Sequence, residues 1–459
     1  MPLLRQPMSH LAKNLRLAPS VFFRKVAPEV YVRDVATGEE FIFSAEAAPV
    51  FSALRRGVAL DSPVLRENAS FLRQLASWGL LTPHPALRGR KCPPADPAGV
   101  PASGGDLLAR FQESCRRRHR LGAACLELTY RCNARCSHCY LDDASEQTAA
   151  GELDGAEWRN VIDQLARMGC MRVLVTGGEP TLHSDCLDIC RHVVRRGMLC
   201  DLYTNGIAVP EAFFEGISAL PLNSVSVSLY SGTDAFHDAI TGIPGSFQKT
   251  LASLLRFKAA GFDVFAKTPL FHGHLDDYFS ARRLGLQHNF SVHPANILVP
   301  GHSGTSRNEM MLDSAEYREF LERDARPDTA PETETSRETI AGDSVCHAGL
   351  STLCISPTGI VRPCNSFPWD CGNVRSDSLS HIWKTAEPFR RLRALRRRDL
   401  SPACATCPDI ACCTVCPGAA WTENPGAFSP CSWSCAQAAD RAAFNRQQPI
   451  PKPSIKEPK

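Results

Sequence analysis

Three cysteines on one short segment constrain this chain more than anything else in it: Cys132, Cys136 and Cys139, in the run Cys-Asn-Ala-Arg-Cys-Ser-His-Cys, with Tyr140 following. A closed structural metal site takes four ligands, whereas a reactive one keeps a position open. Three thiolates on one loop hold three corners of an iron–sulfur cubane, whose usual complement is four cysteines. The fourth iron is then free for a substrate. Zinc is the alternative, although zinc sites commonly pair two Cys-x2-Cys units. Downstream, the apolar residues 173–176 end in Gly177-Gly178-Glu179-Pro180. Glycines let backbone approach a ligand closely, and a carboxylate such as Glu179 makes a charge-assisted hydrogen bond to an ammonium. Taken alone, the two glycines are an ordinary strand-to-helix turn.

Together the two segments resemble the radical S-adenosylmethionine (SAM) superfamily. The resemblance implies that Cys132, Cys136 and Cys139 hold a [4Fe–4S] cluster whose unique iron chelates the amino and carboxylate groups of SAM. It implies that Gly177, Gly178 and Glu179 line the methionine ammonium, and that Tyr140 reaches the adenine. Asn205, Ser228 and Lys267 stand at predicted strand ends, where polar residues contact the SAM carboxylate or ribose; Lys267 alternatively pairs with an acid. The implied chemistry is reductive cleavage of SAM to a 5′-deoxyadenosyl radical that abstracts hydrogen from a substrate. The electron comes from a reductase or a flavodoxin or ferredoxin donor.

Composition agrees with a cofactor enzyme. The 459 residues allow two to four domains. A hydrophobic fraction of 44% with 22% charged residues is a globular composition. The net charge of +3 argues against nucleic acid or a membrane surface as partner. No apolar run reaches the roughly 18–20 residues of a membrane span, and the N-terminus lacks a signal-peptide apolar core, so a cytoplasmic location is expected. In a reducing compartment, 21 cysteines point to metal rather than to disulfides.

Along the chain, residues 1–20 read as a lead-in and residues 21–83 as a small winged-helix-like domain. Strands at 30–35 and 40–43 flank a Thr37-Gly38 turn; helices follow near 45–54 and 63–78. Residues 84–119 read as a Pro-, Gly- and Ala-rich linker. Six βα units follow within residues 120–321. Their strands are near 126–129, 172–176, 199–204, 224–228, 264–268 and 291–293. Repeated βα units imply a parallel sheet. In the resembling family this is a partial (β/α)6 barrel, with reactive residues at strand C-terminal ends as in the full barrel. Residues 322–343 read as an acidic linker, 344–440 as a cysteine-dense domain and 446–459 as a disordered tail.

The C-terminal cysteines begin with Cys346-x12-Gly359-x4-Cys364 and continue with Cys404, Cys407, Cys412, Cys413, Cys416, Cys431 and Cys435. This resembles the SPASM extension of radical SAM enzymes, which holds two auxiliary [4Fe–4S] clusters, so three clusters are expected in all. The family pattern places Cys-x2-Cys-x5-Cys-x3-Cys after the first pair. This chain departs from it by one residue, and preserving the final x3 spacing favours Cys412 slightly over Cys413. The resemblance gives the nearer cluster Cys346, Cys364 and Cys416, with Cys354 as a candidate fourth ligand. The outer cluster receives Cys404, Cys407, Cys412 or Cys413, and Cys431 or Cys435. The run of arginines within 390–398 reads by default as a solvated helix face.

Residues 21–83 resemble the leader-recognition element of ribosomal peptide biosynthesis, which binds a peptide as an added strand. Leu229-Tyr230, His237–Gly242 and Gly245-Ser246-Phe247 resemble peptide-maturing SPASM enzymes. The expected function is therefore a peptide maturase that forms an intrapeptide thioether or carbon–carbon crosslink on a precursor bound by its leader. The alternatives are an oxidase of a small molecule such as a tetrapyrrole, and a non-catalytic iron–sulfur or zinc scaffold.

Overall fold

The computed structural model describes residues 15–26, 29–57, 62–83, 107–142, 149–324 and 336–447. The expected start of the lead-in (1–14), most of the linker (84–106), the centre of the acidic segment (325–335) and the tail from 448 lie outside the described residues.

The N-terminal unit begins earlier than residue 21. Strand β1 (Leu15–Leu17) is followed by β2 (Val21–Val26), β3 (Glu29–Asp34), β4 (Glu40–Ser44) and β5 (Leu81–Pro83). β1 pairs antiparallel with β5, which draws the lead-in into the domain. β2, β3 and β4 form an antiparallel sheet, so the expected hairpin gains a third strand. Side chains alternate across a strand, and here the alternation serves two cores. Val30 and Val32 face Phe51, Leu54, Leu72 and Leu75 of the domain's own helices. Phe22, Val26 and Tyr31 face Phe111 and Cys115 of a helix at Leu107–Arg117, together with Met171 and Leu199. Part of the expected linker is thus a helix wedged between two units.

The central sheet contains β6 (Ala123–Glu127), β7 (Arg172–Thr176), β8 (Leu199–Thr204), β9 (Ser224–Ser228), β10 (Val264–Pro269) and β11 (Ser291–Ala295), all parallel. Two further strands, β12 (Thr352–Ile355) and β13 (Val361–Arg362), come from the cysteine-dense region. They extend the order to β11-β10-β9-β8-β7-β6-β12-β13. β12 runs parallel to β6, with Cys354 opposite Cys125. The C-terminal region is therefore built into the barrel's edge.

Helices cover the outer face. In Gly155–Arg167, Asp154 caps the first turn in a capping box with Glu157. Trp158, Val161, Ile162 and Leu165 are buried at helical spacing against Val173 and Val175.

The N-terminal unit docks at the N-terminal ends of the barrel strands. Arg24 Nε donates to Cys170 O at 2.8 Å and Arg55 Nη1 to Gly197 O at 3.3 Å. Among the described residues, no helix is long and apolar enough to cross a membrane.

Candidate active site

Cys132, Cys136 and Cys139 lie on the loop after β6, at the opposite end of the barrel from the N-terminal unit. The loop is clamped from several sides. Arg135 N and Ser137 N donate to Thr241 O and Ile240 O at 2.8 and 3.0 Å, at the end of helix Asp234–Thr241. Arg307 Nη2 donates to Cys139 O at 2.9 Å. The helix that carries the His237–Gly242 motif therefore holds the cysteine loop by its C-terminal carbonyls.

Gly177 and Gly178 meet the loop from below. A Cβ on Gly177 would stand 2.3 Å from Thr129 O, and one on Gly178 would stand 2.4 Å from Arg131 O. Gly178 N donates to Thr129 O at 2.7 Å and Glu179 N to Arg131 O at 2.9 Å. Here the close approach that glycine permits is to the cysteine loop's own backbone.

Glu179 stands apart from the cavity lining in this structure. Its side chain is buried rather than cavity-lining. Oε1 accepts from Thr181 N at 3.2 Å, Thr181 Oγ1 at 2.8 Å and Thr204 Oγ1 at 2.9 Å, and Oε2 accepts from Asn205 N at 2.8 Å. Burial raises its pKa and these donors oppose the rise. In this structure the carboxylate braces the end of β8.

A cavity of about 540 Å³ is lined by all three cysteine residues, Tyr140, Gly177, Gly178, Asn205 and Ser228. Asn205 Nδ2 donates to Asn133 Oδ1 at 2.7 Å and lies 3.6 Å from Cys132 Sγ. Tyr140 donates from its hydroxyl to the buried Glu127 at 2.6 Å. Tyr230, which sequence reasoning gave no role, also lines the cavity, with its hydroxyl 3.6 Å from Cys136 Sγ. Its signal was its place two residues beyond Ser228.

The cavity continues down the barrel past Cys125, Leu174, Tyr203 and Lys267 to Ala123, Arg172 and Gln112. Lys267 Nζ stands 5.0 Å from the Tyr203 ring centroid, and burial lowers its pKa. His302 reaches the cysteine loop, edge-on to Tyr140. His272 pairs with Glu316 at the surface, while His274 and His293 stack on Phe236 and Phe265.

The donor set suits iron. Burial first, with neighbouring thiols adding to it, pushes the Cys132 thiol up to about 12 and the Cys136 thiol to about 11. Three such groups ionise together only beside a cation. None of the described cysteines is in a disulfide.

In the C-terminal region the thiols fall into separate neighbourhoods. After burial as the main cause, Cys416 raises the pKa of Cys346, and Cys416 and Cys346 raise that of Cys364. Cys404 is raised by burial and then by Cys435, Cys413 and Cys407. Cys412 is elsewhere, beside Arg441 and 3.7 Å from Asn445 Nδ2. By these neighbours Cys413, rather than the Cys412 that spacing favours, stands with Cys404, Cys407 and Cys435. The reason is a 3-10 turn at Ile410–Cys412. Cys413, the residue that ends this turn, packs against the apolar cluster of Val345, Phe367 and Val415.

The arginine run is no solvated face throughout. Arg391 lies 4.7 Å from the Trp421 ring centroid and 5.3 Å from that of Trp369. Arg397 Nη1 donates to Cys413 O at 2.8 Å.

Comparisons with known proteins agree with this geometry. The Radical SAM superfamily pattern matches residues 126–281, and that of the SPASM iron-sulfur cluster-binding domain matches residues 346–408. Mycofactocin maturase MftC of Mycobacterium ulcerans is 30% identical over 298 residues, covering 61% of this chain and 78% of the relative. An AdoMet-dependent heme synthase of Nitratidesulfovibrio vulgaris is 25% identical over 324 residues, 65% of this chain and 88% of the relative. Streptococcus suis SuiB bound to precursor peptide SuiA superposes with a TM-score of 0.60 at 14% identity, covering 92% of this chain and 99% of SuiB.

This chain belongs to the radical SAM superfamily and carries a SPASM domain. It is an enzyme whose cofactors are SAM and [4Fe–4S] clusters.

Proposed function

We propose that this enzyme is a cytoplasmic maturase of a ribosomally made peptide, forming an intrapeptide thioether or carbon–carbon crosslink. The observation that carries the reading is the extent of the cavity. It runs from the cysteine loop to Gln112, on the helix whose Phe111 packs at 5.2 Å against Tyr31 of the N-terminal sheet. A peptide held by that sheet is thereby close to the Gln112 end of the cavity. β4 is an edge strand, and the Phe43 ring lies 5.5 Å from Phe71 on the neighbouring helix Ala69–Ser77. A leader adding to this edge gains main-chain hydrogen bonds and an aromatic shelf. The similarity to SuiB, solved with its precursor peptide, and to MftC supports the same reading.

In this proposal Cys132, Cys136 and Cys139 hold the SAM-binding cluster, and Gly177, Gly178, Tyr140, Asn205 and Ser228 border SAM. When bound, the cluster and SAM supply a 5′-deoxyadenosyl radical that takes hydrogen from the peptide. The chain's own contribution is placement. Tyr230 and His138 wall the cysteine loop, with rings 5.0 Å apart. The buried Glu179 fixes the Asn205 backbone. The C-terminal cysteines Cys346, Cys354, Cys364, Cys404, Cys407, Cys412, Cys413, Cys416, Cys431 and Cys435 are the candidates that would hold two auxiliary clusters, which would supply an acceptor for the electron left on the product, and a flavodoxin, ferredoxin or reductase would supply the first electron.

A second reading, oxidation of a small molecule such as a tetrapyrrole, is favoured by the similarity to the heme synthase. The two separate on one experiment: co-expression with a short peptide encoded beside the gene, followed by exact mass. A loss of two hydrogens that is absent with Cys132→Ala supports the maturase. An unchanged peptide, with a tetrapyrrole side chain oxidised instead, supports the second reading.

A further inference from the structure

The cavity carries a charge that its own walls do not balance. Among the described residues, its lining includes two cations, Arg172 and Lys267, and no Asp or Glu. Three carboxylates are buried on or beside the barrel strands, and each is engaged. Asp201 accepts from Arg172 Nε, from Asn223 Nδ2 at 2.7 Å and from Ser224 Oγ. Glu127 accepts from the hydroxyls of Tyr140 and Tyr130 at 2.6 and 3.1 Å. Glu179 accepts from Thr181, Thr204 and Asn205. Arg172 is thus paired with Asp201, while Lys267 has no carboxylate partner among the described residues.

The reach of Lys267 follows from the strand beside it. β9 reads Ser224-Val225-Ser226-Val227-Ser228. Side chains alternate across a strand. Val225 and Val227 join the core under the helices, so the serines face the barrel interior. On β10, Lys267 stands opposite Ser228; on β8, Tyr203 stands opposite Ser226. With only hydroxymethyl groups in between, the lysine chain crosses β9 and brings Nζ to 5.0 Å from the Tyr203 ring centroid. Lys267 is exposed, yet enclosure in the barrel lowers its pKa. The surface it exposes is therefore turned into the cavity that it lines.

An ammonium held there has lost water without gaining a partner, which is costly. A carboxylate brought to it makes a charge-assisted hydrogen bond. We propose that Lys267 receives a carboxylate of the peptide substrate and so selects which residue of the peptide is held in the cavity. This deepens the maturase reading and rests on it. Two groups of a peptide carry that chemistry, an Asp or Glu side chain and the C-terminal carboxylate.

The test uses the reconstituted full chain and the short peptide encoded beside the gene, with conversion followed by exact mass. An unmodified native peptide overturns the maturase reading itself, and this inference with it. With the native peptide modified, each of its Asp and Glu residues is changed singly to Asn or Gln, and a further peptide is amidated at its C-terminus. One of these changes is expected to lower conversion about ten- to a hundredfold. Loss from a side-chain change assigns the carboxylate to that residue; loss from amidation assigns it to the C-terminus. This arm uses the unaltered enzyme, so no refolding question arises. Lys267→Gln is expected to show the same loss with the native peptide and no further loss with the neutralised one. For a side chain, Lys267→Glu combined with a peptide bearing Lys at that position is expected to recover conversion, which a contact to SAM would not do. Indifference of the unaltered enzyme to every neutralised peptide overturns the inference, as does full conversion of the native peptide by Lys267→Gln. Losses that multiply instead of coinciding overturn it too, because the two groups then act separately.

Discussion

The cysteine loop of the barrel and the cysteine field of the C-terminal region present the same chemistry on different scaffolds. In the barrel, three thiols come from eight consecutive residues at the end of one strand. Neighbouring backbone fixes that loop: Gly177 and Gly178 press against residues 129–131, and the end of helix Asp234–Thr241 holds residues 135 and 137. In the C-terminal region, the described thiols come from segments as far apart as Cys346 and Cys435, joined by short helices and 3-10 turns. Spacing predicts a thiol site well when one loop supplies it. It predicts poorly when a single 3-10 turn decides which of two adjacent cysteines faces inward.

The largest effect that sharpens this contrast is expected from Cys132→Ala. It should abolish 5′-deoxyadenosine formation and remove about four irons per chain while the auxiliary clusters remain; chromatographic assay and iron analysis check it. Next comes the pair Cys413→Ala and Cys412→Ala. The first should lower iron by about four per chain and the second should leave it unchanged. Equal losses would break the 3-10 argument.

Gly178→Ala tests the barrel side. A methyl there meets carbonyl oxygens at 2.4 and 2.6 Å, so a destabilisation of about 1–3 kcal/mol is expected in denaturant unfolding, together with weaker SAM binding. Arg24→Ala tests docking of the N-terminal unit, because it removes the donor to Cys170 O. A cost of about 1 kcal/mol is expected, with peptide modification reduced and peptide-independent SAM cleavage retained.

A pH slope completes the series. His237 is fully buried, and burial lowers its pKa to about 4. Between about 4 and the ordinary 6.5, the unfolded chain binds the proton that the folded chain refuses, so stability rises with pH across that window. At pH 5 the loss relative to pH 7.5 is about 2 kcal/mol. His237→Leu should remove that part of the slope in urea titrations of the cluster-free Cys132, Cys136 and Cys139→Ala protein.

Much of the fold was legible from pattern. The six parallel strands stand within a few residues of their expected positions, because buried strands read as apolar runs bounded by turn residues. What pattern missed involves long-range pairing. β1 pairs with β5 at the domain's boundary, Leu17 opposite Leu81 and Leu15 opposite Pro83; a three-residue strand carries too little periodicity to show alone. β12 joins β6 although more than two hundred residues separate them. Glu179 was expected at the ligand, since a carboxylate beside two glycines invites that reading. Its donors, Thr181, Thr204 and Asn205, include residues from another strand end, which no local spacing displays. The arginines of 390–398 read as solvent-facing because the aromatic rings that receive Arg391 lie elsewhere in the chain.

By itself, the sequence determined the class of chemistry. Cys132, Cys136, Cys139 and the Gly-Gly-Glu-Pro segment are local motifs, and a ligand set carried on one loop survives any arrangement of the rest. Tertiary structure alone decided which neighbours each remaining thiol takes, that Glu179 meets Thr204 and Asn205 at the end of β8, and that the cavity reaches Gln112 on the helix packed against the N-terminal sheet. Those outcomes depend on packing between segments distant in the chain, where burial and hydrogen-bond satisfaction, not spacing, choose the partner.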